Sequence, residues 1–231
     1  MKSFKWIFLV LFSATMLTSC FEIIEEVTYH KDGSGELKYV FDMGGLKPML
    51  EMAAAMDTTG QMNMDTLGMI SKEFVNKVEG LKGITNIAEI SDADNLKFGV
   101  SFNFDDPESL NTAVNQLMES PGLMSGETTT FEGSKKKFTR LASKNLTGIF
   151  DEILGENGAG ENGEMAMMFL KDVSYTTIYH FDKKVKKMSN DKAVLSDDKK
   201  TVTMKYYLFD EDRGGKNATL ENEIKLKGWL F

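Results

Sequence analysis

Two histidines, one cysteine and sixteen methionines are the side chains of widest chemical reach in this sequence. His30 and His180 have the ring nitrogens that a general base requires, but no nucleophile stands near either of them. Both fall in alternating polar and apolar runs, where a surface or half-buried role is the simpler reading. Met49, Met52, Met56, Met62, Met64 and Met69 lie close together, and Met165, Met167 and Met168 cluster later. Soft thioethers bind Cu(I), so a metal-handling protein is one reading. Met49, Met52 and Met56 also have plain helical spacing. Methionine fills gaps in cores or lines grooves for lipids and partner helices, which is the other reading. No His or Cys stands nearby in sequence to complete a metal site. A Ser-centred nucleophile elbow and a His-Glu-x-x-His pair are both missing. The expectation is therefore a non-enzymatic chain with no catalytic residue, no metal ligand and no cofactor, an enzyme of unrecognised type being the alternative.

Four charged segments complete the set. Asp92-Ala93-Asp94-Asn95 has the acids of a calcium loop without its central glycine or closing glutamate, and a turn accounts for it. Asp210-Glu211-Asp212 before Gly214-Gly215 is an acidic turn able to hold a cation weakly. Lys135-Lys136-Lys137, and Lys183-Lys184 with Lys186-Lys187, are basic runs. They could face anionic headgroups near a membrane anchor, or be the solvated side of a strand or turn.

The N-terminus supplies that anchor. Lys2 and Lys5 precede an apolar core from Trp6 to Phe12, extended more weakly through Ala14 and Met16. Positive charge, apolar core and then small residues form the pattern of a secretory signal peptide. The core is short of the ~20 apolar residues that a stable span needs. Leu17-Thr18-Ser19-Cys20 resembles the lipobox of bacterial lipoproteins. That resemblance implies a diacylglyceryl group on the Cys20 sulfur and cleavage between Ser19 and Cys20. It also explains the only cysteine of the chain, which has no intrachain partner. Two or three acyl chains, at about 0.8 kcal/mol per buried methylene, hold a protein on a membrane where a single chain does not.

Removing Lys2 and Lys5 from the 27 basic residues leaves the 35 acidic ones in excess by about ten. Such a surface repels nucleic acid phosphates, so the expected partners are the membrane, reached through the lipid, and a protein or lipid ligand.

The elements follow from periodicity. Val27–His30 and Leu37–Phe41 flank Lys31-Asp32-Gly33-Ser34-Gly35 as a hairpin, with both glycines expected at positive φ. A helix follows Pro48, and another starts near Asp65, with Leu67, Ile70, Phe74, Val78 and Leu81 on one face. Ile84–Ile90 and Leu96–Phe104 form a second hairpin, whose second arm alternates strictly from Leu96 to Phe104. Asp106-Pro107 opens a helix carrying Leu110, Ala113, Val114, Leu117 and Met118. A third hairpin turns around Gly133-Ser134, short helices are expected at 146–154 and 164–170, and the Gly-rich stretch 155–163 reads as a flexible loop. Val173 to Phe181 and Val202 to Leu208 alternate as strands, with a last strand near 220–226. The expected fold is α+β: an antiparallel sheet of β-hairpins with helices packed on one face. The expected organisation is a signal peptide over 1–19, a lipidated tether over 20–26 and one domain over 27–231.

The stretch from Tyr175 to Asp210 resembles the end of the LppM-type lipoprotein domain. The matching residues are Phe181, Val185, Ser196-Asp197-Asp198 and Thr201-Val202-Thr203, and the early turn Asp32-Gly33-Ser34-Gly35 also fits. The resemblance implies a lipidated, envelope-located α+β protein with lipid or glycolipid binding. Asp182-Lys183 departs from the Pro-Gly turn common in that family, and its C-terminal transmembrane helix has no counterpart here.

Overall fold

The computed structural model describes residues 21–48, 65–118, 129–142, 171–213 and 219–228. Ser19, Cys20, the helix expected after Pro48, the segments expected over 146–170, and Met62, Met64, Met165, Met167 and Met168 lie outside the described residues. The strands are β1 (Phe21–Tyr29), β2 (Gly35–Asp42), β3 (Ile84–Asp92), β4 (Lys97–Phe104), β5 (Phe131–Ser134), β6 (Lys137–Arg140), β7 (Val173–Phe181), β8 (Val185–Met188), β9 (Val194–Leu195), β10 (Thr201–Tyr207) and β11 (Asn222–Leu226). Two helices, α1 (Asp65–Val78) and α2 (Pro107–Met118), stand on either side of the β3–β4 pair in sequence.

The fold is α+β, but not one antiparallel sheet of hairpins. Seven strands form a mixed sheet in the order β3-β4-β2-β1-β7-β10-β9, and four form a second sheet in the order β5-β6-β11-β8. At the centre of the large sheet β1 pairs in parallel with β7, Phe21 opposite Val173 and Tyr29 opposite Phe181. A parallel neighbour needs a crossover of a dozen or more residues. Here everything from β2 to β6 is the crossover, so no local turn signal announces it.

The 20–26 segment, expected as a tether, is a second correction. Residues 21–26 open β1, with Ile23, Glu25, Val27 and Tyr29 buried in strict alternation. Three glutamates make the segment look like a charged linker. Its neighbours β2 and β7 satisfy its backbone on both sides, and that pairing decides the matter.

Alternation places one face of the large sheet inward. Tyr39 and Phe41 of β2 lie opposite Val100 and Phe98 of β4, and Tyr175 and Tyr179 of β7 lie opposite Tyr206 and Val202 of β10. The helices meet this face. Phe74 of α1 stacks on Phe41 at 5.6 Å, and the Tyr39 hydroxyl meets the Met118 sulfur of α2 at 4.0 Å. The small sheet meets it through Phe138, whose ring lies 5.0 Å from Tyr29, 5.2 Å from Tyr179 and 5.7 Å from Phe181. Fully burying one such ring contributes about 1.5–3 kcal/mol.

Local chemistry sets the joints. Asp106 caps α2, its carboxylate accepting from the Ser109 amide at 2.8 Å. The Asn111 side chain accepts from the Thr130 and Phe131 amides and donates to the Phe131 carbonyl, so α2 carries the start of β5. Gly33 adopts φ +102° in the β1–β2 turn. Gly35 does not have positive φ; it is glycine because a Cβ there would stand 1.9 Å from the Thr28 carbonyl and 2.5 Å from the Phe104 ring.

Candidate functional site

The two ends of the large sheet differ in what they gather. One end holds Phe21 of β1 opposite Val173 of β7, and Glu22 of β1 opposite Asp42 of β2, which in turn faces Lys97 of β4. Cys20 precedes Phe21 directly in sequence. The Phe21 ring stacks on Phe41 at 6.1 Å, and Lys97 pairs with Asp42 at 2.8 Å. The acidic turn at Asp210 reaches this end through Arg213. The guanidinium bonds Asp210 at 2.7 Å and Asp172 at 2.9 Å and lies 3.8 Å from the Tyr207 ring centre. The positive charge expected there as a loose cation is a side chain of the protein.

The opposite end holds Tyr29, Phe181, Thr201 and Phe104, with the turns that follow or precede them. Both basic runs come to this end. The Lys183 ammonium donates to the Lys135 carbonyl at 3.0 Å. The runs are therefore at the far end of β1 from Phe21, because β1 and β7 run in the same direction. His30 joins this end, its Nδ1 3.1 Å from the Asp182 carboxylate. Burial would raise the Asp182 pKa, but the His30 bond and the Lys31 amide outweigh it and hold the carboxyl below its ordinary value.

Between the ends lies a buried charged cluster that no sequence signal singled out. Glu25 stands on the inward face of β1, and Arg140 reaches it from β6 of the small sheet. The Arg140 Nε lies 3.1 Å from Glu25 Oε1, and its Nη2 lies 3.1 Å from Oε2. Tyr179 donates to Oε1 at 2.6 Å and Tyr175 to Oε2 at 2.9 Å. Arg140 spends its remaining arm on the Leu141 carbonyl at 2.9 Å and sits 5.2 Å from the Phe131 ring centre. Only 5% of the Arg140 side chain and 3% of that of Glu25 are exposed. Burial works against the Arg140 charge, but the carboxylate beside it wins and raises the guanidinium pKa. Burial first, and then the Glu25 charge, push the Tyr175 and Tyr179 phenols well above the ordinary range. Every group is charged and paired or held protonated, and none is open to solvent. The cluster fastens the small sheet to the large one, as buried polar networks do when fully satisfied. Its one sequence trace is Glu25 itself, a charge in the apolar phase of Ile23, Val27 and Tyr29.

The remaining candidates disperse. His180 faces the other way from this cluster, its Nε2 2.9 Å from Glu26 and its Nδ1 3.1 Å from the Thr201 hydroxyl. Asp92 to Asn95 is a turn, with the Asn95 amides bonded to the Asp92 carboxylate at 3.0 and 2.7 Å. Met69 is exposed, Met204 is buried and accepts from the Asn222 amide at 3.6 Å, and Met118 meets Tyr39, so these three sulfurs have different surroundings. Among the described residues no three His, Cys, Asp or Glu side chains gather as a metal site, and no helix is long and apolar enough to cross a membrane. An open cleft of about 190 Å³ lies beside the start of α2 and is lined by Lys82, Asp105, Asp106, Glu108 and Ser109. Its lining is polar, and Asp106 is already engaged as the helix cap.

No protein-family model matches this chain, and no curated protein does. A search of solved structures finds a likeness to the NMR structure of the folded domain of Mycobacterium tuberculosis LppM, with 8% identity, 90% of each chain covered and a TM-score of 0.41. At that identity and score the likeness assigns this chain neither to a family nor to an activity.

Proposed function

We propose that this chain is the precursor of a bacterial cell-envelope lipoprotein: exported, cut between Ser19 and Cys20, and held on a membrane by lipid on the Cys20 sulfur. The observation that carries this reading is Leu17-Thr18-Ser19-Cys20 at the end of a basic-then-apolar leader, with Cys20 the only cysteine of the chain. The start of β1 at Phe21 supports a body held close to the bilayer, with almost no tether between the lipid and the sheet.

In this reading the body binds a protein partner or an apolar or lipid ligand, and catalyses nothing. The full pairing of Glu25, Arg140, Tyr175 and Tyr179 supports a structural role for the strongest internal charges. The test is Cys20→Ser. In cells fed a labelled fatty acid, the native chain takes up label and runs at the size of the cleaved form. The variant is expected to lose the label and accumulate as uncut precursor. Native protein isolated with residues 1–19 attached, or a correctly cut variant still held on the membrane, would overturn the reading.

A further inference from the structure

The lysine-bearing turns are the strongest feature that the proposed function leaves unused. Three turns far apart in sequence are tied together at one end of the molecule. The Lys183 ammonium donates to the Lys135 carbonyl, the Phe181 amide to the Lys200 carbonyl at 2.9 Å, and the Val185 amide to the Lys199 carbonyl at 2.7 Å. Lys135, Lys136, Lys184, Lys199 and Lys200 are exposed and Lys183 is half-buried. None of these six makes an ion pair with a described residue, although ion pairs hold Lys137 within the first run and Lys97, Lys205 and Lys225 elsewhere. Acids stand among them: Asp198 is bonded to the Ser196 hydroxyl at 2.6 Å and the Lys200 amide at 3.0 Å and attracts the Lys184 and Lys200 charges, and Asp182 and Asp197 are exposed in the same turns. Six lysines against these three acids still leave a local excess of positive charge on a chain with a formal charge of −8.

We propose that this surface binds an anionic polysaccharide. The choice rests in part on the lipoprotein reading, which sets what the surface can reach. Along β1, nine residues long, a rise of about 3.3 Å per residue puts the lysine end about 26 Å from Phe21. With β1 taken to stand away from the bilayer, screening of charges beyond about 8 Å at physiological salt puts the host leaflet out of range. Export removes nucleic acid from reach. Protein interfaces bury aromatic and Arg anchors and are poor in Lys; the cations of these three turns are all Lys, and the exposed large hydrophobics described are Met69 and Val194. Lys ammonium groups are strongly hydrated point charges without a fixed fork. Spread over three turns, they suit a flexible chain with repeated carboxylates better than one small anion.

The test uses the full lipidated chain in neutral detergent micelles, with fluorescently labelled polygalacturonate and uncharged dextran of equal length. Anisotropy is expected to rise with polygalacturonate and not with dextran, and the binding to weaken as salt rises. Lys135→Ser, Lys136→Ser, Lys183→Ser and Lys184→Ser combined should weaken it about tenfold or more, since each lost contact removes counterion release. The same number of charges removed elsewhere, with Lys47→Ser, Lys72→Ser, Lys171→Ser and Lys192→Ser, should cost less than about twofold. Melting curves establish that both variants are folded. Equal losses in the two variants, or no preference for polygalacturonate over dextran, would overturn the proposal. So would tighter binding to anionic lipid vesicles or single-stranded RNA, or self-association that the first variant abolishes. The intact mass of the same preparation reads the lipid on Cys20 separately. A bare thiol would sink the anchor while leaving the polymer titration to judge the lysine surface.

Discussion

Arg140 and the lysines around Lys135 and Lys183 are near neighbours in the molecule, yet their charges are housed in opposite ways. Arg140 is buried between two sheets, its donors taken by Glu25 and the Leu141 carbonyl. The lysines stand in water, held in place by backbone bonds between turns. A buried charge without its partner costs several kcal/mol, whereas an exposed one costs almost nothing and remains free to attract. The inner pair therefore belongs to the stability of the fold, and the outer cluster to what the fold meets.

The sharpest way to break this contrast is Arg140→Met, which strands the Glu25 carboxylate. We expect about 3–5 kcal/mol of destabilisation in urea unfolding. Adding Glu25→Leu should restore much of that loss, because two apolar side chains replace the pair. A double variant no better than Arg140→Met would show that the pair is not coupled. Tyr179→Phe removes one bond to the carboxylate while keeping the ring, and should cost about 1.5–3 kcal/mol.

Asp106→Ala tests a charge at the surface that is nonetheless engaged, and should cost about 1 kcal/mol through the lost helix cap. The Ser109 amide holds the Asp106 carboxyl below its ordinary value. A lowered folded pKa means that its contribution is present above the unfolded pKa and lost as pH falls through the folded one. The gap in melting temperature between native chain and variant should therefore close below about pH 4. The smallest effect belongs to the fourfold lysine variant. Its stability should stay within about 0.5 kcal/mol of native, and a larger loss would make those lysines part of the scaffold.

Much of this was legible from neighbouring residues alone. Val173 to Phe181 and Phe98 to Phe104 alternate, and the structure buries the expected members of each set. Asp106-Pro107 does start a helix, which buries Leu110, Ala113, Val114 and Leu117. Other features were not legible. Leu96 alternates with β4 but sits in the turn before it at φ 52°, buried all the same. β8 has four residues, two of them lysines, too short and too charged for periodicity to show. The acidic start of β1 hides a central strand that only its neighbours reveal.

The sequence by itself determined which face of the clearly alternating strands turns inward, because side chains alternate with a period of two whatever the strand pairs with. The proposed export signal, too, is read from contiguous residues. Tertiary structure alone decided that β1 and β7 run parallel, that Glu25 meets Arg140, and that the lysine turns gather far from Phe21. Each of these depends on which distant strands pair and in which direction, and no short stretch of sequence records that.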